Sequence, residues 1–255
     1  MTQLPTLLSV MNDPWWSKSV RVIYPDAPRL PIVKVEGISD WKFFNKSMPR
    51  DSFGKKRCEF SFVCGKDNVI KQVEADKSSF GIVDMDFDFE SDLVSNPRII
   101  DTSDDCCLFS KIYRTCNYDL ALLFGRLING LVKTGEASKL HEMVSERHKE
   151  LVDRIKEDTA ERLYRGYKRH HKSYKSSLEE FNDEFTKQID AAGINDHSFV
   201  NMFQELLAEV GLEIEEDVIE KAIFNIFLGQ RNDSRRMEGI AMQFAKDLRW
   251  DGPKN

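Results

Sequence analysis

Short apolar runs alternate with helical patterns in the first part of the chain, over residues 30–101. Strands are predicted at the runs LPIVKVEG, CEFSFVCG, FGIVDMD and PRIIDTS, and helices at ISDWKFFNKSM and KDNVIKQVEADK. We expect Ser39 to cap the first of these helices and Asp67 or Asn68 to open the second. Strands that alternate with helices of about a dozen residues indicate βαβ units. The pattern therefore predicts an α/β fold with a mainly parallel sheet flanked by helices.

The pattern changes after about residue 104, where glycine and proline become scarce and helical spacing continues. The run LALLFGRLINGLV predicts an apolar helix, and residues 136–190 predict a long, charged and nearly unbroken helical stretch. Three more helices are predicted at HSFVNMFQELLAEVG, EEDVIEKAIFNIFLG and RRMEGIAMQFAKDLRW. We therefore expect an N-terminal segment that packs on the core, an α/β domain and an all-helical C-terminal region, over residues 1–29, 30–118 and 119–255.

Composition places the chain among cytoplasmic proteins without a membrane segment. Its 255 residues carry a formal net charge of −6, which argues against general affinity for nucleic acid but not against a local basic patch. No apolar stretch approaches the roughly 20 residues that span a bilayer. The N-terminus does not have the pattern of a secretory signal. The five cysteines form no CxxC pair, so we expect reduced thiols that lie mostly in the core.

The run FGIVDMDFDFE places three aspartates at alternate positions directly after an apolar strand. Carboxylates at every second position of a strand point to the same side and repel one another. Asp84 and Asp86 follow the third predicted strand, and Glu36 follows the first. If those strands are neighbours, three carboxylates meet at the carboxyl edge of the sheet, where ligands of such folds bind. A Mg²⁺ ion would relieve the repulsion, with Asp88 as a further candidate ligand.

The pattern V-E-G-x-x-D after one strand and G-I-V-D-x-D after a later one resembles the Toprim domain, over residues 31–102. The resemblance implies that Glu36 is the general acid or base and that Asp84 and Asp86 bind Mg²⁺, with Mn²⁺ as an alternative. It also implies that Asp40 holds Glu36 or a metal-bound water. Lys66 follows the second strand and is a separate candidate for neutralising a scissile phosphate. The alternative for Lys66 is a solvated lysine in a first helical turn.

The order of the motifs VEGISDWKFF, CGKDNV, GIVDMDFDF and IIDTSDD is similar to that of Toprim nucleases from bacterial anti-phage systems, in particular the PARIS group. This resemblance implies a toxic effector that cleaves tRNA and arrests translation. It further implies an ABC-type ATPase partner that holds the nuclease inactive, and a homodimer as the active form. The family has a further acidic position, often glutamate, after the fourth strand. Here Asp104 and Asp105 stand in that region, and the sequence leaves open which of them, if either, completes the metal site.

A basic segment at residues 162–175 contains six lysines or arginines and no acidic residue. Its charges recur every three or four positions, so one helix would array them along a single face. Tyr164, Tyr167 and Tyr174 lie between them and offer rings that can stack on unpaired bases. The alternatives are a solvated helix face or a patch for an acidic protein partner. We expect nucleic acid to be bound by Arg162, Arg165, Lys168, Arg169, Lys172 and Lys175.

Other interpretations of the aspartate run and of the whole protein stay open from sequence alone. A turn capped by aspartates, or the D-x-D of a glycosyltransferase, would explain the run without explaining Glu36. An EF-hand is excluded, because Phe89 and Ser95 stand where its glycine and glutamate belong. The main rivals to a ribonuclease are a DNA endonuclease of the OLD type and a non-catalytic Toprim-fold subunit of an ATPase complex.

Overall fold

The computed structural model describes residues 30–47, 58–85, 96–102, 105–229, 236 and 239–244. The described residues from Pro31 onward belong to one compact unit. The predicted packing of segment 1–29 lies outside the described residues, as do the predicted roles of Asp86, Asp88 and Asp104.

Four short strands form a parallel sheet in the order β2-β1-β3-β4. All four predicted strands are confirmed, and every pairing between them is parallel. Strand β1 is paired on one side with β2 and on the other with β3, where Val35 lies opposite Ile82. The carboxyl ends of β1 and β3 therefore lie side by side. The strand bounds are β1 Ile32–Val35, β2 Glu59–Phe62, β3 Ser79–Val83 and β4 Ile99–Asp101.

Helices flank the sheet because both of its faces are apolar. On one face, Val69 and Val73 of helix α2 (Lys66–Ala75) form a cluster with Val83 and Ile99. Gly81 allows this close approach, since a Cβ at that position would lie 2.7 Å from a methyl group of Val69. Successive strand residues point to opposite faces, so Ile82 contributes instead to the larger core. That core includes Phe43 and Phe44 of helix α1 (Ile38–Ser47).

The predicted caps of these two helices are wrong. Helix α1 begins at Ile38, so Ser39 lies within the first turn, and the Asp40 carboxylate accepts a hydrogen bond of 2.8 Å from the Gly37 N–H. Helix α2 begins at Lys66, ahead of Asp67 and Asn68, with Gly65 at its cap. Gly65 has a φ of 103°, a conformation that glycine adopts without steric cost, which lets the chain turn into the helix at once.

The C-terminal part is helical, as predicted, but the stretch 136–190 is not nearly unbroken. The helices are interrupted at Arg147, over residues 171–177 and at Phe185. After the longest interruption, a capping box formed by Ser177 and Glu180 begins the next helix. Residues 239–244 are also helical. The bounds are α3 Leu108–Thr115, α4 Leu120–Leu131, α5 Thr134–Glu146, α6 His148–His170, α7 Leu178–Glu184, α8 Thr186–Ala192, α9 Asp196–Glu209 and α10 Glu216–Gly229.

One apolar core runs from the sheet into these helices. Phe60 and Ile82 of the strands belong to the same cluster as Phe109, Phe199 and Phe227 of the helices. Four of the five cysteines are buried, as expected for thiols that lie mostly in the core. No helix in the described part of the chain has both the length and the apolar character needed to cross a membrane.

Candidate functional site

Glu36 and Asp84 meet at the carboxyl edge of the sheet. Glu36 directly follows β1 and Asp84 directly follows β3, and these strands are neighbours. A carboxylate oxygen of Glu36, Oε1, accepts a hydrogen bond of 2.7 Å from the backbone N–H of Asp84. The structure thus places two of the three acidic residues that the sequence predicted to converge at the same edge of the sheet, and the third, Asp86, lies outside the described residues.

The side chain of Asp84 is held by the first turn of α3. Its Oδ1 accepts a hydrogen bond of 3.0 Å from the N–H of Leu108, the first residue of that helix. The cap residue Cys107 makes no side-chain hydrogen bond to the helix, so Asp84 bonds to one of its unpaired N–H groups. The positive end of the helix dipole stabilises the charged carboxylate there. Sequence reasoning missed this contact because 24 positions separate the two residues.

Lys66 places a positive charge on the same edge. Its ammonium group donates hydrogen bonds to the backbone oxygens of Asp84, at 2.9 Å, and Met85, at 3.3 Å. The side chain therefore crosses from the start of α2 to the segment that follows β3, rather than extending into solvent. This position is consistent with the predicted role of Lys66 near a bound phosphate.

The environment of Glu36 raises its pKa to about 7. Burial is the largest cause, and the nearby charge of Asp40 acts in the same direction. The backbone N–H groups of Asp84 and Lys66 and the charge of the Lys66 side chain oppose the change but do not cancel it. A carboxyl group with a pKa near neutrality can both give and accept a proton at physiological pH, which is the property of a general acid or base.

The raised pKa predicts that Glu36 weakens the fold as the pH rises. The group has a pKa of about 7 in the folded protein against a model value of 4.5, so the folded state holds the proton more tightly. Its favourable contribution is complete below pH 4.5 and is lost as the pH rises through 7. Well above pH 7, we expect Glu36→Gln to be more stable than the natural protein by about 3 kcal/mol, because each pKa unit corresponds to about 1.4 kcal/mol.

Urea unfolding followed by circular dichroism between pH 5 and pH 8 measures this difference. The glutamine variant should lack the part of the pH dependence that Glu36 causes. Parallel pH profiles for the two proteins would show that the pKa of Glu36 is not raised.

Asp105 is a buried structural carboxylate. Only 2% of its surface is exposed, and it pairs with Arg114 at 2.9 Å and with Lys111 at 3.8 Å. Its backbone oxygen accepts from the Thr102 hydroxyl, whose oxygen accepts in turn from the Met85 N–H. Asp105 and Thr102 therefore stabilise the segment after β3 through the Met85 N–H, a role that could not be predicted from the sequence.

Asp101 is a carboxylate at the sheet edge that sequence reasoning overlooked. It is the last residue of β4 and lies opposite Val83, the residue before Asp84. The signal was present in the sequence, because Asp101 directly follows the apolar pair of a predicted strand, as Asp84 does. It is thus a better-placed candidate for the further acidic position than Asp105.

The basic segment does not form one helical face. Helix α6 ends at His170, so Lys172 and Lys175 lie in the connection that follows it. Arg162 is paired with Asp158 at 2.8 Å and Arg165 with Glu161 at 2.5 Å. The prediction of a single face is wrong for the last two lysines. Exposed cationic side chains nevertheless persist at Arg165, Lys168, Arg169, Lys172 and Lys175.

Of the three tyrosines in this segment, Tyr167 is buried and cannot stack on bases, whereas Tyr164 and Tyr174 are half-buried and also make contacts within the protein. Tyr167 is 4% exposed, and its ring contacts those of Phe181 and Phe185. The Tyr164 hydroxyl donates to the Ser176 backbone oxygen. Tyr174 donates to Glu184 and its ring also contacts Phe181. These contacts hold α7 against the end of α6, because burying aromatic rings is more favourable than exposing them to solvent on a charged helix.

Within the described residues, one trio of side chains has ligand atoms close enough for a metal ion. His197, Glu216 and Glu220 lie between α9 and α10, with their ligand atoms within 4.8 Å of one another. Two of the three are exposed, and His197 Nδ1 lies 2.8 Å from Glu216. None of these residues belongs to the sheet edge, where the predicted Mg²⁺ site depends on the undescribed Asp86.

The fold and the site define an α/β protein with an acidic centre at the carboxyl edge of a parallel sheet. No family model matches the chain, and no curated protein or solved structure matches it either. The function is therefore inferred from the motifs and from the geometry at the sheet edge.

Proposed function

We propose that the protein is a Mg²⁺-dependent nuclease with a Toprim catalytic domain. The contact of 2.7 Å between Glu36 Oε1 and the Asp84 N–H carries the proposal. It joins the glutamate of V-E-G with the first aspartate of D-x-D, the two positions that the Toprim resemblance assigns to proton transfer and to metal binding. Their strands are adjacent and parallel, as that resemblance requires.

The residues at the edge fit a hard divalent cation. Glu36 and Asp84 offer carboxylate oxygens, which Mg²⁺ and Mn²⁺ prefer. Among the residues that the structure describes, Asp84 is the candidate metal ligand. The sequence motif adds Asp86 and Asp88 as further candidates. A bound Mg²⁺ would lower the pKa of a water molecule and offset charge on the scissile phosphate.

Three side chains of the protein would act alongside the metal, each in a different role. Glu36 moves the proton to or from the attacking or leaving oxygen, because its pKa lies near neutral pH. Lys66 offsets negative charge on the phosphate from its position over the segment after β3. Asp40 accepts a hydrogen bond of 2.8 Å from the Gly37 N–H, and its charge adds to the rise in the pKa of Glu36 that burial causes. Each of these groups reaches the same sheet edge from a different element.

The motif order extends this proposal to a biological role, that of a toxic effector in anti-phage defence. The order is similar to that of AriB, the Toprim effector of the PARIS system, whose partner is the ABC-type ATPase AriA. On this proposal, an ATPase of that class holds the nuclease inactive in the cytoplasm, and the released protein acts as a homodimer on tRNA. Binding of a phosphate backbone is supported by a concentration of exposed positive charge in one segment of an otherwise acidic protein, at Arg165, Lys168, Arg169, Lys172 and Lys175.

Sequencing of cleaved nucleic-acid ends tests the substrate. The full-length protein is expressed without a partner, and total RNA and DNA are recovered from cells and from purified reactions with Mg²⁺ or with EDTA. We expect new tRNA ends that form with Mg²⁺ and not with EDTA. New DNA ends would instead indicate an OLD-type endonuclease, and intact RNA and DNA would indicate a non-catalytic subunit.

A further inference from the structure

Side chains hold the backbone of the segment that follows β3. The N–H and C=O groups of Asp84 and Met85, four successive backbone groups, all bond to side chains. Glu36 accepts from the Asp84 N–H, and Lys66 donates to the oxygens of both residues. Thr102 Oγ1 accepts from the Met85 N–H at 2.8 Å. Because this segment carries the D-x-D motif, its backbone path decides where the aspartates of the motif lie.

Thr102 is the fully buried member of this set of three side chains. Only 1% of its surface is exposed, and it directly follows the last residue of β4. Its hydroxyl donates to the Asp105 backbone oxygen at 2.6 Å while it accepts from the Met85 N–H. Its own backbone oxygen accepts from Lys111 Nζ of α3 at 3.0 Å. The hydroxyl is therefore held in one direction, and it gives the Met85 N–H a fixed acceptor.

We propose that Thr102 is a positioning residue for the Mg²⁺ site at the sheet edge. Its hydroxyl is buried and already has two partners, so it acts through the Met85 N–H and not on the substrate. Met85 lies between the two aspartates of D-x-D in the sequence. Groups that orient metal ligands are commonly needed for full metal affinity. The inference rests on the proposed function, because it requires a cation at this edge.

Thr102→Val tests the proposal, since valine keeps the branched shape of the side chain and removes the hydroxyl. The Met85 N–H and the Asp105 backbone oxygen then lose their partner. We expect the Kd of the full-length protein for Mn²⁺ to rise at least about tenfold, the lower end of the usual effect of such groups. Electron paramagnetic resonance of unbound Mn²⁺ measures the Kd without any cleavage. Thr102→Ser keeps the hydroxyl and should bind Mn²⁺ as the natural protein does.

Thr159→Val is the matched control, because Thr159 of α6 makes the same pair of contacts at the same burial. It is also 1% exposed, and its hydroxyl donates to the Ile155 backbone oxygen at 2.8 Å and accepts from the Asn195 N–H at 3.2 Å. Both valine variants should lower the urea midpoint of unfolding. Only Thr102→Val should raise the Kd for Mn²⁺. A rise of equal size in both variants would mean that Thr102 acts on stability alone, and would overturn the proposal.

Two further outcomes separate this inference from the nuclease proposal. A natural protein that binds Mn²⁺ and a Thr102→Val protein with the same Kd would overturn the positioning role and leave the metal site standing. A natural protein that binds no Mn²⁺ at millimolar concentration would overturn both. Should Thr102→Val fail to fold by circular dichroism, Thr102→Cys takes its place, since a thiol is a weak hydrogen-bonding group, and the same criteria apply to it.

Hydrogen exchange of the Met85 amide, followed by nuclear magnetic resonance, tests the contact without a cation. The amide should be protected in the natural protein and in Thr102→Ser, and it should lose this protection in Thr102→Val. Equal protection in all three proteins would show that the Thr102 hydroxyl does not hold the segment.

Discussion

Replacing Glu36 with glutamine should lower the rate of RNA cleavage at least about a hundredfold, the usual contribution of a general acid or base. Glutamine keeps the shape of the side chain, and its amide oxygen can still accept from the Asp84 N–H, as Glu36 Oε1 does. It has no proton to exchange near neutral pH, so the loss is chemical and not structural. The rate is measured on tRNA with saturating Mg²⁺. Glu36→Ala should likewise abolish toxicity while keeping the fold and partner binding.

Glu59→Gln is the matched control, because Glu59 is an exposed carboxylate at the first residue of β2, on the opposite edge of the sheet. It should cleave at the natural rate. The natural protein should also show a rate that changes with a group of pKa near 7, and this change should disappear in Glu36→Gln. Cleavage by Glu36→Gln at the natural rate would show that Glu36 is not the acid or base.

The sheet was predictable because its signals are local. Mainly apolar runs such as Ile32–Val35 and Ser79–Val83 are typical of buried parallel strands, and each was found where expected. The sequence alone did not predict that these two strands are neighbours, because strand order depends on packing between distant segments. The contact of Asp84 with the Leu108 N–H depends on where α3 begins, which the local pattern did not determine.

The basic segment shows where periodicity fails as a guide. Charges at Arg162, Arg165 and Lys168 have helical spacing and do lie on α6. The pattern continues to Lys175, but the helix stops at His170 and a capping box opens the next helix at Ser177. Burial of Tyr167 against Phe181 and Phe185 favours the fold of the following helix back onto α6, and the spacing of charges carries no information about this packing.

Replacing Asp105 with alanine should lower the free energy of unfolding by about 3 kcal/mol, because breaking a buried ion pair leaves its partners without compensation. Lys111 retains 19% of its side-chain exposure and would lose its partner carboxylate, whereas Arg114, at 50%, can be hydrated in part. The Ser110 hydroxyl, 3.4 Å from the carboxylate, would lose an acceptor as well. Urea unfolding in the absence of divalent ions measures the change.

Asp217→Ala is the matched control, because Asp217 pairs with Lys221 on an exposed helix face, with 63% of its side chain accessible. An exposed pair of this kind contributes about 0.5 kcal/mol, so the two variants should differ severalfold in their effect on stability. The loss in Asp105→Ala should also be the same with and without Mg²⁺. A loss that appeared only with Mg²⁺ would instead make Asp105 a metal ligand, because removing a ligand weakens the fold only when the cation is there to be bound.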